Sequence, residues 1–485
     1  MFFFEKEILL PICESIRKYP DRNAFYINGT FYTYSQFSER ISAIRDVIRA
    51  AETDEPVWAL HLHDDINTYA SIFALWMEGK AYVPLHPYWP KERLDTVVEQ
   101  IGCHNHLDSC DAAYKEDLLD NWKDVSEEDL AYILFTSGSA GVPKGVQLSR
   151  KNVATFMDSF WQTGITIDET DRCLQVFDLT FDVSIQSFLV ALTRGACVYT
   201  VPYGLVKYLY AASLIQEQEI SFGAMAPSML TYLRPYFDEF DAGSMRQCII
   251  TAEACPVDLM EDWYKCAPNV EIYDFYGPTE TTIYCTYYKL TRGGKNLSFN
   301  GIISIGKPMA NVQAIIVDAN GKVIPEKSGV EYKGELCVAG NQVTPGYWKN
   351  EEKNISSFFW HNGTKYYHTG DLTYWDESGN IMYSGRIDQQ AKIQGFRVEL
   401  GEIEFHAREF FNKERRVMAI AFQNDRDLTE IALFIESKEE DTKALIQYLH
   451  SKMPVYMVPA RILFILEFPL NKSEKIDRNA LKQML

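Results

Sequence analysis

The chain has 485 residues, 47% of them hydrophobic, and a formal net charge of −20; that length exceeds the size at which single cores stop growing, so two or more domains are expected. The acidic balance excludes a nucleic-acid partner, because a phosphate backbone needs a basic face. Ten cysteines without a CxxC pair or metal-ligand spacing read as reduced thiols of a cytoplasmic protein with no metal cluster, and no apolar run reaches the ~20 residues of a membrane span.

In chain order, MFFFEKEILL opens the sequence, but Glu5 and Lys6 interrupt it before any long apolar region, so it does not read as a signal peptide. Through about residue 384, short β-rich runs alternate with helical patterns, which predicts an α/β protein. PVWALHL is the first clear strand. After the apolar run Ala131 to Phe135 comes LFTSGSAGVPKG, Leu134 to Gly145. Thr136, Ser137 and Ser139 offer hydroxyls, Gly138 and Gly141 let backbone approach an anion, and Lys144 adds positive charge, so this loop is predicted to hold phosphate. It is not a Walker loop, since Lys144 is followed by Gly145.

Further strands are expected at ACVYTV, QCIITA and VEIYDF, and the last two run straight into TAEA and YGPTE. Ligands sit beyond the carboxyl ends of strands in open α/β sheets, so both segments are expected to line one cleft. YHTGDL at Tyr367 to Leu372 precedes RIDQQAKIQGFR, which is polar and basic with one glycine, as a hinge between domains would be. The last hundred residues, with VMAIAF, IALFIE and the helical KALIQYLHSKM, read as a small α+β lid that ends in EKIDR, Glu474 to Arg478.

These motifs, with TYSQF at Thr33, AYVPLHPYWPKERL at Ala81, GELCVAGNQVTPGYW at Gly334, GRIDQQAKIQGFRVELGEIE at Gly385 and MPVYMVP at Met453, together resemble the adenylate-forming (ANL) superfamily. Within it the resemblance, nearly end to end, is to the amino-acid-activating adenylation domains of nonribosomal peptide synthesis. It implies a large N-terminal α/β portion of several subdomains over residues 1–384, a hinge at 385–388 pivoting on Asp388, and a small mobile C-terminal domain over 389–485. It also implies ATP and Mg2+ as cofactors. Tyr276 would lie against adenine, Thr279 on the α-phosphate and Glu280 on magnesium. Asp371 would hold the ribose hydroxyls with Tyr383 and Arg386 nearby, and Lys475 would be the catalytic lysine delivered by the closing lid. Three departures stand out: Ala140 where a threonine is usual, Glu474 where a glycine is usual, and His86 where an aspartate is usual in a motif of structural role.

FDVSIQSF, Phe181 to Phe188, aligns with the start of the amino-acid pocket. Asp182 falls where such members keep a carboxylate for the substrate ammonium; a helix cap or a satisfied structural carboxylate is the alternative reading. Carried over residue by residue, the pocket is Asp182, Val183, Gln186, Ala224, Ile250, Ala252, Phe275, Ile283, Tyr284 and Lys475. It looks like pockets that activate proline, with Ala224, Phe275 and Tyr284 departing from that pattern. Because the chain ends about ten residues after Lys475, a free-standing enzyme loading a separate phosphopantetheinylated carrier protein is expected. A D-alanine ligase of teichoic acid metabolism and an inactive nucleotide-binding interaction protein are the competing readings.

Overall fold

The computed structural model describes residues 3–108, 112–138, 141–388, 390–470 and 476–485. The chain divides into two compact units, one of Met1–Pro87, Ile101–Leu134 and Gly145–Ile387, the other of Tyr88–Gln100, Phe135–Lys144 and Asp388–Leu485. Among the described residues no helix is long and apolar enough to cross a membrane.

The first unit is built on a nine-stranded sheet. Its middle contains β1 (Arg172–Gln175), β2 (Cys197–Thr200), β3 (Phe222–Met225), β4 (Gln247–Ile250) and β5 (Glu271–Tyr276), followed by β6 (Thr286–Lys289). The spatial order is Lys307–Pro308, β6, β5, β4, β3, β1, β2, Asn23–Ile27, Thr30–Thr33. β5, β4, β3, β1 and β2 run parallel, while β6 returns antiparallel on β5. Helices α1 (Asp182–Leu192) and α2 (Pro227–Leu233) follow β1 and β3. β2 to β4 are buried along their whole length and β1 nearly so, which is why they read as continuous apolar runs rather than alternating ones. The two faces of this sheet cover separate cores: Ala224, Ile249 and Phe275 belong to one, and Met225, Ile250 and Ile272 to the other.

A six-stranded sheet in the same unit carries β7 (Gly334–Gly340), β8 (Thr364–Trp375) and β9 (Ile381–Arg386). β7 and β8 slip register between the pairs Glu335 with Leu372 and Cys337 with His368. The extra residues bulge out at Thr369 to Asp371, where Gly370 has φ +73°. Such bulges re-aim side chains, and here the re-aimed residue is Asp371.

In the second unit, residues read as a polar hinge form a hairpin, β10 (Gln390–Ile393) and β11 (Phe396–Glu399). Gln394 and Gly395 make its turn with φ +52° and +82°, the left-handed pair that a two-residue hairpin requires. Asp388 is exposed and accepts the Gln390 N–H at 3.1 Å. α3 (Leu400–Phe410) follows and packs Ile403 and Ala407 with Ala419, Leu433 and Leu449 of the remaining sheet and helix.

Gly306 joins the two sheets of the first unit: its carbonyl accepts the Ile381 N–H at 2.7 Å, and a Cβ there would fall 1.8 Å from the Tyr287 carbonyl oxygen at a φ of +75°. Gly306→Ala is therefore expected to lower unfolding stability by more than about 2 kcal/mol. Chemical denaturation checks this; a loss under about 0.5 kcal/mol would mean that the β6 edge gives way freely.

Candidate functional site

The loop predicted to hold phosphate lies in the second unit, where carboxylates meet its donors. Ser137 Oγ donates to the Arg397 carbonyl and accepts the Glu399 N–H, both at 3.0 Å. The Gly138 N–H donates to Glu402 Oε2 at 3.1 Å, and Lys144 Nζ pairs with Glu399 Oε1 at 3.2 Å. Arg93 meets the other Glu402 oxygen at 2.7 Å in a pair that is almost wholly buried. Thr136 Oγ1 reaches the Lys144 carbonyl at 3.5 Å. Gly141 has φ +78° and a Cβ there would strike the Phe405 ring. A backbone N–H and an ammonium beside two carboxylates is the chemistry of an anion site. Glu399 and Glu402 do not stand out in the sequence; their signal is VELGEIE, which opens the helix packed on the loop. Ser139, Ala140, Glu474 and Lys475 lie outside the described residues.

In the first unit the structure brings Tyr276, Asp371 and Arg386 together. The Tyr276 hydroxyl, at the end of β5, donates to Asp371 Oδ2, while Arg386 Nη1 bonds Asp371 Oδ1 at 3.0 Å and the Thr369 carbonyl at 3.1 Å. Asp371 is 2% exposed, so the guanidinium is what compensates its charge. Burial, with the Asp371 carboxylate beside it, pushes the Tyr276 hydroxyl well above its ordinary range and keeps it a donor. Tyr383 packs on the same apolar cluster as Tyr276. After Gly277 and Pro278, Thr279 and Glu280 sit on a short 3-10 turn, and Glu280 is fully buried with its Oε1 accepting the Tyr347 hydroxyl at 2.6 Å. Tyr347 orients this carboxylate from within PGYW, a motif whose tyrosine carries no chemical signal by itself. His86 pairs with Asp178 at 2.6 Å, which accounts for a histidine in that structural motif.

The residues expected around an amino acid are partly gathered. Asp182 is the first residue of α1, not part of a strand, and its Oδ2 accepts the Ile283 N–H at 3.1 Å. Among the described residues no Lys, Arg or His pairs with it. Burial pushes its carboxyl up to about 6, against the opposing pull of the Ile283 N–H. Val183, Ala224, Phe275, Ile283 and Tyr284 share one core, whereas Ile250 packs into the core on the other face of the sheet. Tyr284 lies 4.9 Å from the Phe275 ring and is fully buried. Its hydroxyl reaches Gln186 Oε1 at 3.4 Å, and Gln186 Nε2 is buried without a hydrogen-bond partner among the described residues. Ala252, Thr282 and Ile283 hold φ of +69°, +57° and +69°. For β-branched residues this is an unfavourable backbone, of the kind that collects at ligand-binding sites.

The raised Asp182 carboxyl has a measurable sign. Its proton is held more tightly folded than unfolded, so its contribution to stability is fully present below about pH 4 and is lost as pH rises through about 6. Asp182→Asn keeps an acceptor for the Ile283 N–H and cannot ionise. Thermal unfolding of this variant should match the parent near pH 4 and exceed it near pH 7.5, by up to about 3 kcal/mol. A difference independent of pH would show that burial does not govern this group.

The family model described as AMP-binding enzyme matches residues 13–348. Gramicidin S synthase 2 of Brevibacillus brevis is 30% identical over 494 residues, covering 96% of this chain and 11% of that protein. Tyrocidine synthase 1 of Brevibacillus parabrevis is 29% identical over 499 residues, covering 97% of this chain and 44% of that protein. The chain thus spans less than half the length of these curated relatives. A crystal structure of the Vibrio cholerae adenylation domain AlmE in complex with glycyl-adenosine-5'-phosphate superposes with a TM-score of 0.88 at 23% identity, covering 98% of this chain and 97% of that one. With the family model spanning well over half of its length and the fold in agreement, this chain belongs to the AMP-binding enzymes of the adenylate-forming superfamily.

Proposed function

We propose that the protein activates an amino acid, L-proline or a close cyclic imino acid, as its aminoacyl-adenylate and then passes it to the phosphopantetheine thiol of a separate carrier protein. The observation that carries this reading is Asp182, a buried carboxylate that accepts from the backbone N–H groups of Ile283, Val183 and its own residue and has no cation among the described residues. A substrate ammonium would supply the missing charge.

In the first step a substrate carboxylate oxygen attacks the α-phosphorus of ATP, the bond to the β-phosphate oxygen breaks, and pyrophosphate leaves. Thr136, Ser137, Gly138, Ser139, Gly141 and Lys144 hold the phosphates, which would take over the donors now meeting Glu399 and Glu402. Tyr276 and Tyr383 form the adenine side, and Asp371, fixed by Arg386, accepts the ribose hydroxyls. Thr279 contacts the α-phosphate. Glu280, oriented by Tyr347, suits magnesium, which takes oxygen ligands and commonly uses one carboxylate plus substrate phosphates; the ion would neutralise charge developing on the departing pyrophosphate. Lys475 stands between the reacting carboxylate and phosphate when residues 389–485 pivot at 385–388 around Asp388. In the second step the carrier thiol attacks the acyl carbon, a thioester forms, and AMP leaves.

Val183, Gln186, Ala224, Ala252, Phe275, Ile283 and Tyr284 enclose the side chain, and Ile250 does not join them because it packs on the other face of the sheet. Proline carries two more carbons than alanine, and about 0.8 kcal/mol for each favours it by roughly tenfold. Gln186 Nε2, without a partner among the described residues, supports a second reading, a ring bearing an acceptor such as a hydroxyl.

ATP–pyrophosphate exchange should be measured side by side with proline, pipecolate, 4-hydroxyproline, both enantiomers of alanine, and phenylalanine. A cyclic imino acid should lead by about tenfold or more, and Asp182→Asn should lower that exchange by roughly ten- to a hundredfold with ATP affinity unchanged. Preference for D-alanine would move the reading to the teichoic acid ligase, and exchange with none of them would favour a nucleotide-binding interaction protein.

Lys475→Ala should lower exchange by about a hundredfold or more while transfer from a supplied aminoacyl-adenylate to carrier stays within about threefold of the parent, because the lysine serves only adenylation. Parallel loss of both half-reactions would overturn the pivoting scheme.

A further inference from the structure

A side-chain cluster outside the nucleotide and amino-acid residues lies on the six-stranded sheet. Glu335 and Cys337 sit two apart on β7, on one face of the strand, and the register of β7 with β8 sets His368 directly opposite Cys337. A ligand atom from each of the three lies within 4.8 Å of the other two. His368 Nδ1 is 2.8 Å from Glu335 Oε2 and 3.7 Å from Cys337 Sγ. Both neighbours approach the same ring nitrogen. A relay of nucleophile, base and orienting carboxylate would use the two nitrogens of the ring separately, so this arrangement is a point of convergence and not a relay.

We propose that Glu335, Cys337 and His368 bind a zinc ion, with water as fourth ligand. The ligand set is a carboxylate, a thiolate and an imidazole, all of which zinc accepts. With Zn–S near 2.3 Å and Zn–N near 2.0 Å, a tetrahedron has a sulfur-to-nitrogen edge of about 3.5 Å, close to the 3.7 Å found here. The carboxylate needs to withdraw by only about half an ångström to open its own edge. Cys337 lies beneath the surface while Glu335 and His368 side chains are 22% and 33% exposed, so an ion and a water have a way in. The Phe359 ring, 4.5 Å from the imidazole, holds its plane, and ligating histidines depend on such support for their orientation. Binding releases the thiol proton, since the thiolate is the ligand. Glu335 Oε1 accepts the Gly370 N–H at 2.8 Å, so the same carboxylate joins this site to the bulge that presents Asp371.

The test is cobalt titration of the reduced full chain after stripping with a chelator. One equivalent should produce a thiolate-to-cobalt charge-transfer band with tetrahedral visible absorption, and one equivalent of zinc should abolish both. Cys337→Ser should remove the charge-transfer band, and Glu335→Gln and His368→Ala should each weaken binding at least tenfold, with circular dichroism unchanged in the two partly exposed variants. No band at stoichiometric cobalt, or an undiminished band in Cys337→Ser, overturns the proposal; the latter would assign the signal to another of the free cysteines.

Discussion

Parallel pairing is the constraint on which the first unit depends. Because β1, β3, β4 and β5 run the same way, all their carboxyl ends emerge along one edge of the sheet, and four chain segments distant in sequence must turn there. Phe181 to Asp182, Ala226, Thr251 to Ala252, and Tyr276 to Glu280 are those segments. Their backbone cannot continue the ladder, so its polar groups find other partners. The Ile283 N–H turns to the Asp182 carboxylate for this reason.

Three buried carboxylates in that unit show how environment separates chemically similar groups. Asp371 has a guanidinium and a phenol. Glu280 has a phenol from Tyr347. Asp182 has backbone N–H groups and no cation among the described residues, and burial pushes it toward the neutral form. All three are deeply buried; what differs is the set of partners that offsets the loss of water. In the second unit the logic is reversed, with Glu399 and Glu402 supplying negative charge to a loop rich in donors.

Much of this was legible in the amino-acid sequence. QCIITA and VEIYDF are β4 and β5 because parallel strands buried on both faces leave uninterrupted apolar runs, and the motifs they feed are at their carboxyl ends. The helix that Asp182 opens is not announced in the same way, because Phe181 to Phe188 is largely apolar and a helix buried all round leaves the same trace as a buried strand over so short a window. The segment RIDQQAKIQGFR, read as a hinge, contains a hairpin, because short strands in which polar residues alternate with small or apolar ones resemble a linker and Gly395 serves both. Ile250 falls on the opposite face from Ala224 because β3 and β4 pair Met225 with Ile250, a matter of register that no single strand reveals. His368 lies on a different strand from Glu335 and Cys337, so only the slipped ladder brings the three together.

The left-handed backbone at Ala252, Thr282 and Ile283 bears on how the proposed amino-acid pocket can diversify. A side chain there is chosen under two conditions, fit to the substrate proposed above and tolerance of a conformation that bulky and branched residues resist. Ala224 lies in a regular parallel ladder, where backbone geometry imposes no such filter and β-branched or aromatic replacements are conformationally free. Drift in substrate preference would therefore run most easily through position 224, whereas the residues with strained backbones act as fixed points around which the cavity is resized.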